Sequence, residues 1–534
     1  MKSKLLIFLT LVVLGSLVLA GCGGAEAPAP AEEPEEEAAE APAEEAEEEM
    51  EEEAEEAAPG EWSLAEAAAP WEGETLHLIG EALPPLEALE ELKGEFEDAT
   101  GVEVVIEGLG HEEALEKVTL DFAGQTGVYD LVLQPHRALG KFVEAGWVQP
   151  IDKFYNDPAL RNPDFSFEDD LLSELWFRET NTYHDEVYGL PFHFISMYLW
   201  YRYDWFEHPD EMAAFEEEYG YELPSPPVTW EEYSDTAEFF TRPAGETLAG
   251  EVLEQDVYGH AWGAARHVTS WYDYINVLYS FGGREIYLPD NRGDSYGPIG
   301  INSEEAVDAM NYIISTLPYS PPGTLTYTWD EKQAASQTGL VAMAIQWDDA
   351  TFAVEDPSQS EVSGKIAYSG VPIGEEKIVQ IEGWNYHIPT SSKKPELAWL
   401  FIQWAMGKDV QIAQMKKGGE SALRPTYEDP EVAQIPYAAT GVYLKTGGEW
   451  VLSTREHGDP TGVGVPRRYL EAVNPATGDT SVTLVSKPTF PEEEVITEAM
   501  VLGVNIALRE EVPAQEALDD VAAEFERILP STGG

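Results

Sequence analysis

Between Thr75 and Ala145, short apolar runs suited to strands alternate with helical stripes, and no other feature of the chain constrains its fold as much. Thr75 to Gly80 (TLHLIG) is predicted as a first strand. Leu86 to Ala99 is predicted as a helix, because Leu86, Leu89, Leu92 and Phe96 fall on one face. Val102 to Glu107 then reads as a second strand, Glu112 to Phe122 as a second helix, Tyr129 to Gln134 as a third strand and Leu139 to Ala145 as helical. Strands separated by helices have no short turn to pair through and lie parallel in βαβ units. The expectation is an α/β fold on a parallel sheet, and 534 residues suffice for roughly two to four domain-sized units. No repeat of fixed period is visible.

The segment before this pattern has a different character. Lys2 and Lys4 precede an apolar run from Leu5 to Ala20, which at about 16 residues is shorter than the ~20 needed to span a bilayer. It ends in Leu19-Ala20-Gly21-Cys22, which resembles a bacterial lipobox, where the thiol is lipidated and the peptide before it removed. The resemblance implies that residues 1–22 are a lipoprotein signal and that Cys22 ties the chain to a membrane. Several acyl chains, at about 0.8 kcal/mol per buried methylene, hold where a single chain would not. Cys22 is the only cysteine, so neither a disulfide framework nor a Cys-rich metal cluster is open to the chain. Residues 23–72 are read as a disordered acidic Ala/Glu/Pro tether, with 19 acids and no base between Glu26 and Glu66. The whole chain carries a formal net charge of -71, which repels phosphate backbones and argues against nucleic acid as a partner.

Eleven ordered segments beyond the tether are similar to family 1 extracellular solute-binding proteins, the sugar-type, maltose-binding-protein-like receptors of ABC importers. Gly127 to Val132 (GVYDLV) and Phe142 to Asp152 (FVEAGWVQPID) resemble the family's strand, helix and turn. Tyr188 to Pro191 (YGLP) and Tyr198 to Phe206 (YLWYRYDWF) follow, with Arg202 and Tyr203 where the family usually has Asn-Lys. Pro227 to Tyr233 (PVTWEEY) looks like the family's helix start, and Thr229 with Glu232 has capping-box spacing. Tyr258 to Ala261, Phe281 to Gly283, Gly339 to Trp347, Gly383 to Asn385, Pro395 to Phe401 and Ser421 to Pro425 come after in family order, and the match weakens beyond Tyr443.

The resemblance implies a two-lobed periplasmic-binding-protein fold, type II-like, with a ligand cleft between lobes joined by hinge strands. Crossings are expected near Pro191–Ser196 and Gln380–Tyr386, with a third near 435–450. Lobe one is then 73–193 plus 384–440, and lobe two 197–380 plus 441–534. It also implies a monomer without cofactor or metal that hands a solute to the transmembrane subunits of an ABC permease.

A sugar presents C–H faces to flat aromatics and hydroxyls to fixed polar groups. In similar proteins a Trp at the position of Trp347 stacks on the sugar, and Trp384 stands at the second crossing. Trp262 and Trp271 belong to a region that supplies a stacking ring in relatives, although Trp271 with Ile275 and Leu278 also reads as a core stripe. Glu81, Gln134 and His136 follow strand ends, where open α/β sheets bind ligands. Asp348, Arg424 and His193 complete the candidates, while Asp130 reads as structural. Two alternatives remain open at this point. One is the same fold binding a polyamine, metal chelate or peptide. The other is a secreted carbohydrate-active enzyme, although no HExxH, G-x-S-x-G or phosphate-cradling loop is present. Asp290, Arg292 and Asp294 read as an acidic turn, since a calcium loop would need a closing Glu that is not in place.

Overall fold

Parallel pairing organises the first part of the chain, as the alternation predicts. The computed structural model describes residues 62–529, apart from 172–173, 288–296, 428, 433–441, 446–448, 453–473, 475–476, 480, 488 and 490. Cys22, the greater part of the acidic tract, the Asp290–Asp294 turn and most of the third crossing lie outside the described residues. Strand β1 (Thr75–Glu81) pairs parallel with β2 (Glu103–Leu109) and with β3 (Leu131–Pro135). Between them run α1 (Pro84–Thr100) and α2 (His111–Gly124). Helix α1 starts on prolines that have no N–H to lose there, buries Leu86, Leu89 and Phe96, and stops at Gly101, whose φ of 70° ends the spiral. Asp130 precedes β3 and accepts from the His77 amide and the Ser392 hydroxyl while pairing with Lys394, a structural role.

Folding begins earlier than the tether boundary predicted at residue 72. A short helix, Leu64–Ala68, is capped by Ser63, whose hydroxyl accepts from the Glu66 amide. Ala68 is fully buried, and Leu64 and Trp71 pack on the core. Three apolar residues at helical spacing give this stretch a face to bury, which the Ala/Glu/Pro composition around it hides.

The second part of the sheet is built on β4 (Gly189–Arg202), in which every residue is buried. Helix α3 (Trp230–Phe239) opens with the capping box predicted from Thr229 and Glu232. Then follow β5 (Tyr258–Ala261), α4 (Val268–Ser280) and α5 (Trp329–Gln337), the last capped by a second box of Thr328 and Glu331. Strands β6 (Val341–Trp347), β7 (Ile366–Ser369), β8 (Ile378–His387) and β9 (Thr483–Val485) complete the sheet. Its order is β2-β1-β3-β8-β4-β6-β5, with β7 on β4 and β9 on β8. Helices α6 (Glu493–Leu508) and α7 (Ala514–Ile528) pack on each other, and α6 also packs on α4. A hairpin of Val442–Lys445 and Glu449–Leu452 is what the structure describes near the expected third crossing.

One strand joins the two parts. The first half of β4 pairs antiparallel with β8, from Gly189 opposite His387 to Ser196 opposite Ile381. Its second half pairs with β6 and β7 instead, Met197 opposite Trp347 and Tyr201 opposite Ala367. Asp348, just past β6, accepts from both the amide and the hydroxyl of Ser196 at the changeover, at 3.0 and 2.7 Å. The register shifts between Trp384 and Asn385, a bulge that turns Trp384 out of plain alternation. A Cβ on Gly189 would collide with the Tyr386 carbonyl oxygen and stand 2.8 Å from His387 Nδ1. Gly189→Ala is therefore expected to lower unfolding stability by about 1–3 kcal/mol, the cost of overpacking a tight site, read from denaturant midpoints at unchanged m-value; an unshifted midpoint would show that this pairing has slack.

Candidate functional site

The C-terminal ends of β1 and β3, the residues just past β2 and β6, and the middle of β8 converge on a cavity of about 320 Å³. Parallel strands leave their C-terminal edges open in this way, so successive βα turns can each offer a side chain. Glu81 comes from the end of β1, His111 from the start of α2, Arg137 from beyond β3, Trp347 from the end of β6 and Asp349 from just past it. Glu382 and Trp384 come from β8, Tyr272 from α4, and Trp329 and Gln333 from the first turns of α5.

The aromatic groups set the shape of the wall. Trp347 meets Tyr272 edge to face, ring centres 5.1 Å apart at 81°. Trp384 meets His111 in the same manner at 5.4 Å and 87°, and His111 also touches Trp329 at 6.1 Å. Edge-to-face contacts fix each ring through its neighbour's quadrupole and hold the indoles in place before any ligand arrives. Trp347 and Trp384 are each only 7% exposed, and both border the cavity, where a ring presents surface to a C–H face.

The polar groups are held as tightly. His111 Nδ1 lies 2.9 Å from Glu81 Oε2, and its Nε2 lies 2.8 Å from Arg137 Nη2. Arg137 also pairs with Glu493 at the start of α6. Glu382 is buried, pairs with His136, accepts from the Tyr272 hydroxyl and has Lys487 within electrostatic reach. Burial alone would raise its pKa, but His136 and Lys487 outweigh that and hold it at about 2. Lys487 Nζ has no hydrogen-bond partner among the described residues; it sits over the Tyr272 ring at 3.6 Å and the Trp271 ring at 4.2 Å. Burial, and Arg137 nearby, bring it down to about 7.

Of the residues singled out from sequence, the structure brings Trp347, Trp384 and Glu81 together on the cavity wall. The other seven lie off it, each with other partners or packing. Asp348 is turned to Ser196, and its neighbour Asp349 faces the cavity instead. Trp271 donates to Glu285 at 3.0 Å, and the next residue, Tyr272, takes the wall position. Trp262 is buried against His260 and Trp230 and donates to Thr316. His136 stands behind Glu382. His193 accepts from the Glu420 amide at 2.9 Å, which leaves its Nε2 facing Asp349 at 3.5 Å. Gln134 is buried in β3 with neither amide atom partnered. Arg424 donates to the Leu171 carbonyl. Sequence reasoning missed His111, Arg137, Tyr272, Trp329, Asp349 and Glu382. Two of these had usable signals: Glu382 lies two residues before Trp384 on a strand, and Trp329 opens a helix marked by a capping box.

Four likenesses bear on the chain. The family model of bacterial extracellular solute-binding proteins matches residues 82–412. A mannitol-binding protein of Pseudomonas aeruginosa is 25% identical over 341 residues, 60% of this chain and 67% of the relative. A probable amino-acid ABC transporter periplasmic-binding protein of Sinorhizobium fredii is 22% identical over 377 residues, 68% of this chain and 77% of the relative. Among solved structures, an ABC transporter solute-binding protein of Agrobacterium radiobacter in complex with ribitol matches with a TM-score of 0.65 and 22% identity, covering 86% of this chain and 99% of that one. The shared fold is the two-lobed α/β architecture of periplasmic binding proteins.

The Glu382 cluster generates a stability test. Glu382→Gln keeps the shape but strips His136 and Lys487 of their counter-charge, so unfolding stability should fall by about 3–5 kcal/mol, as for a broken buried pair. The folded value of Glu382, about 2, lies below its unfolded one. Its contribution is therefore complete above about pH 4.5 and is lost as pH falls toward 2. Denaturant unfolding at stepped pH should show the gap between native protein and variant narrowing across that window; a constant gap would mean the carboxylate is not held down.

Proposed function

Because this chain belongs to the bacterial extracellular solute-binding protein family, we propose that it captures a small sugar or sugar alcohol in the cavity between β1, β6 and β8 and passes it to the transmembrane subunits of an ABC permease. The observation that carries this reading is the pairing of Trp347 and Trp384 on one wall with Glu81 and Asp349, carboxylates able to accept from hydroxyls. About 320 Å³ lies at the small end of ligand pockets, which run from about 300 to 1,000 Å³, and suits a single ring, an open-chain polyol or a short oligosaccharide. The relative named for mannitol and the likeness to a ribitol-bound protein support a polyhydroxylated solute.

In this reading Trp347, Trp384, Trp329 and Tyr272 contact the apolar faces, and Glu81, Asp349 and Glu382 receive hydroxyls. Binding is without chemistry, so the chain acts as a carrier and not as an enzyme. The lobes, 73–193 plus 384–440 and 197–380 plus 441–534, close over the solute about β4 and β8, driven by the solute's higher affinity for the closed form. The chain works as a monomer, held to the membrane through lipid on Cys22 and reaching out on the acidic residues that precede Trp62. A second reading, an amino acid as solute, follows from the name of the Sinorhizobium relative. It would need a cation for the α-carboxylate, and Arg137 in the cavity wall already pairs with Glu493.

Calorimetry and thermal shift with D-mannitol, ribitol, maltose, leucine, glutamate and putrescine test the proposal. A polyol or sugar should raise the melting temperature, and Trp347→Ala and Trp384→Ala should each weaken that solute by about tenfold or more, as expected for loss of a stacking ring. A response to an amino acid or putrescine with none to the polyhydroxylated set would sink the reading, and unaltered affinity in both Trp variants would sink the site.

A further inference from the structure

Arg137 is buried to 4% exposure and borders the cavity, where a guanidinium would ordinarily invite a carboxylate. Its fork is already occupied. Nη1 pairs with Glu493 Oε1, and Nη2 lies 2.8 Å from His111 Nε2. Arginine can only donate, so His111 Nε2 must accept, and the ring carries its proton on Nδ1, 2.9 Å from Glu81 Oε2. The relay therefore runs Glu493, Arg137, His111, Glu81, with each member fixing the one before the ligand. Glu493 is itself buried to 3% exposure and oriented by the Thr497 hydroxyl at 2.9 Å. Burial would raise its pKa, but Arg137 and Lys487 hold it below the usual carboxylate range. Next to it, Lys141 pairs with Glu494, a second tie between the β3 side and α6.

We infer that Glu493, which does not touch the cavity, is a specificity-determining residue: by spending the charge of Arg137 it makes the site accept neutral polyhydroxylated solutes and reject sugar acids. With Arg137 cancelled, the charges left on the wall are Glu81, Asp330, Asp349 and Glu382, all acidic. An aldonate or uronate would enter against four carboxylates, with no unpaired cation among the described residues of the wall to meet it. Without Glu493, Arg137 either faces the ligand or swings to Glu81. Both outcomes lessen the repulsion of an anion, and the second also removes an acceptor from neutral solutes. The inference rests on the polyhydroxylated-solute reading above.

The test compares matched pairs by calorimetry on the full chain: D-mannitol with D-mannonate, ribitol with D-ribonate, and maltose with maltobionate. The unmutated protein should favour the neutral member of whichever pair it binds by about a hundredfold or more, and Glu493→Gln should cut that ratio by about tenfold or more, the scale of one charge-assisted hydrogen bond. Adding Arg137→Gln to Glu493→Gln should restore the neutral preference, which a merely structural role for Glu493 would not do. Should Glu493→Gln not fold, Thr497→Val, which removes the hydroxyl orienting Glu493, should move the ratio in the same direction by less. Equal binding of the acid member by the unmutated protein, or an unmoved ratio in the folded variants, overturns this inference and leaves the solute class standing. No binding of any of the six compounds overturns both.

Discussion

Everything that makes the cavity depends on the antiparallel contact between the first half of β4 and β8. These strands run through the middle of a single sheet, and each changes partners along its length. A strand buried on both faces has no solvent side to relieve strain, so its register is held by every neighbour at once. Asp348 secures the point where β4 leaves β8 for β6 by taking both donors of Ser196. That same contact explains why Asp348 does not face the cavity and why Asp349 does. A residue committed to the crossing is not free to meet a solute.

The second constraint is electrostatic. At the wall lie Glu382 and Arg137, and behind them His136, Lys487 and Glu493, all nearly inaccessible to water. Burying that many ionisable groups costs several kcal/mol each unless they compensate one another, and a partner lost is worse than a pair never made. Here the compensation links distant parts of the chain: β3, β8, the segment after β9 and the start of α6. The arrangement is a reason for the C-terminal helices to dock where they do, since α6 brings Glu493 to Arg137 and Glu494 to Lys141. It also keeps the site preorganised, because His111 cannot turn without breaking contact with Arg137 or Glu81.

Much of the architecture was legible from the sequence because local patterns and the global fold agree. The first three strands and two helices lie within a few residues of where alternation places them, and the Thr229 capping box forms as its spacing predicts. The site was legible only in part, and the reasons are specific. Trp271 and Tyr272 are adjacent aromatics on a helix buried along its length, and periodicity cannot say which one borders a cavity. Asp348 and Asp349 are adjacent acids past a strand, and the choice between them is made by Ser196, which lies 152 positions away in the chain. His136 and Arg137 pose the same problem after β3. Residue type at a strand's C-terminal end points to the right neighbourhood, and tertiary contacts pick the individual.

A formal net charge of -71 suggests selection of the solute by the overall field of the chain. At physiological ionic strength that field decays over about 8 Å, so charges on the outer surface act weakly on a solute already inside the cavity. What acts there is the local set, and it is arranged in short-range pairs: Arg137 with Glu493, His136 with Glu382, His111 with Glu81. Among the described residues of the wall, Arg137 is the permanent cation; Glu493 meets it from within the fold and His111 accepts from it. The wall otherwise offers carboxylates able to accept and aromatic rings with flat faces. Selection by such a site depends on where hydrogens can be donated and where flat surface is offered, which is a property of the pairs and not of the total charge.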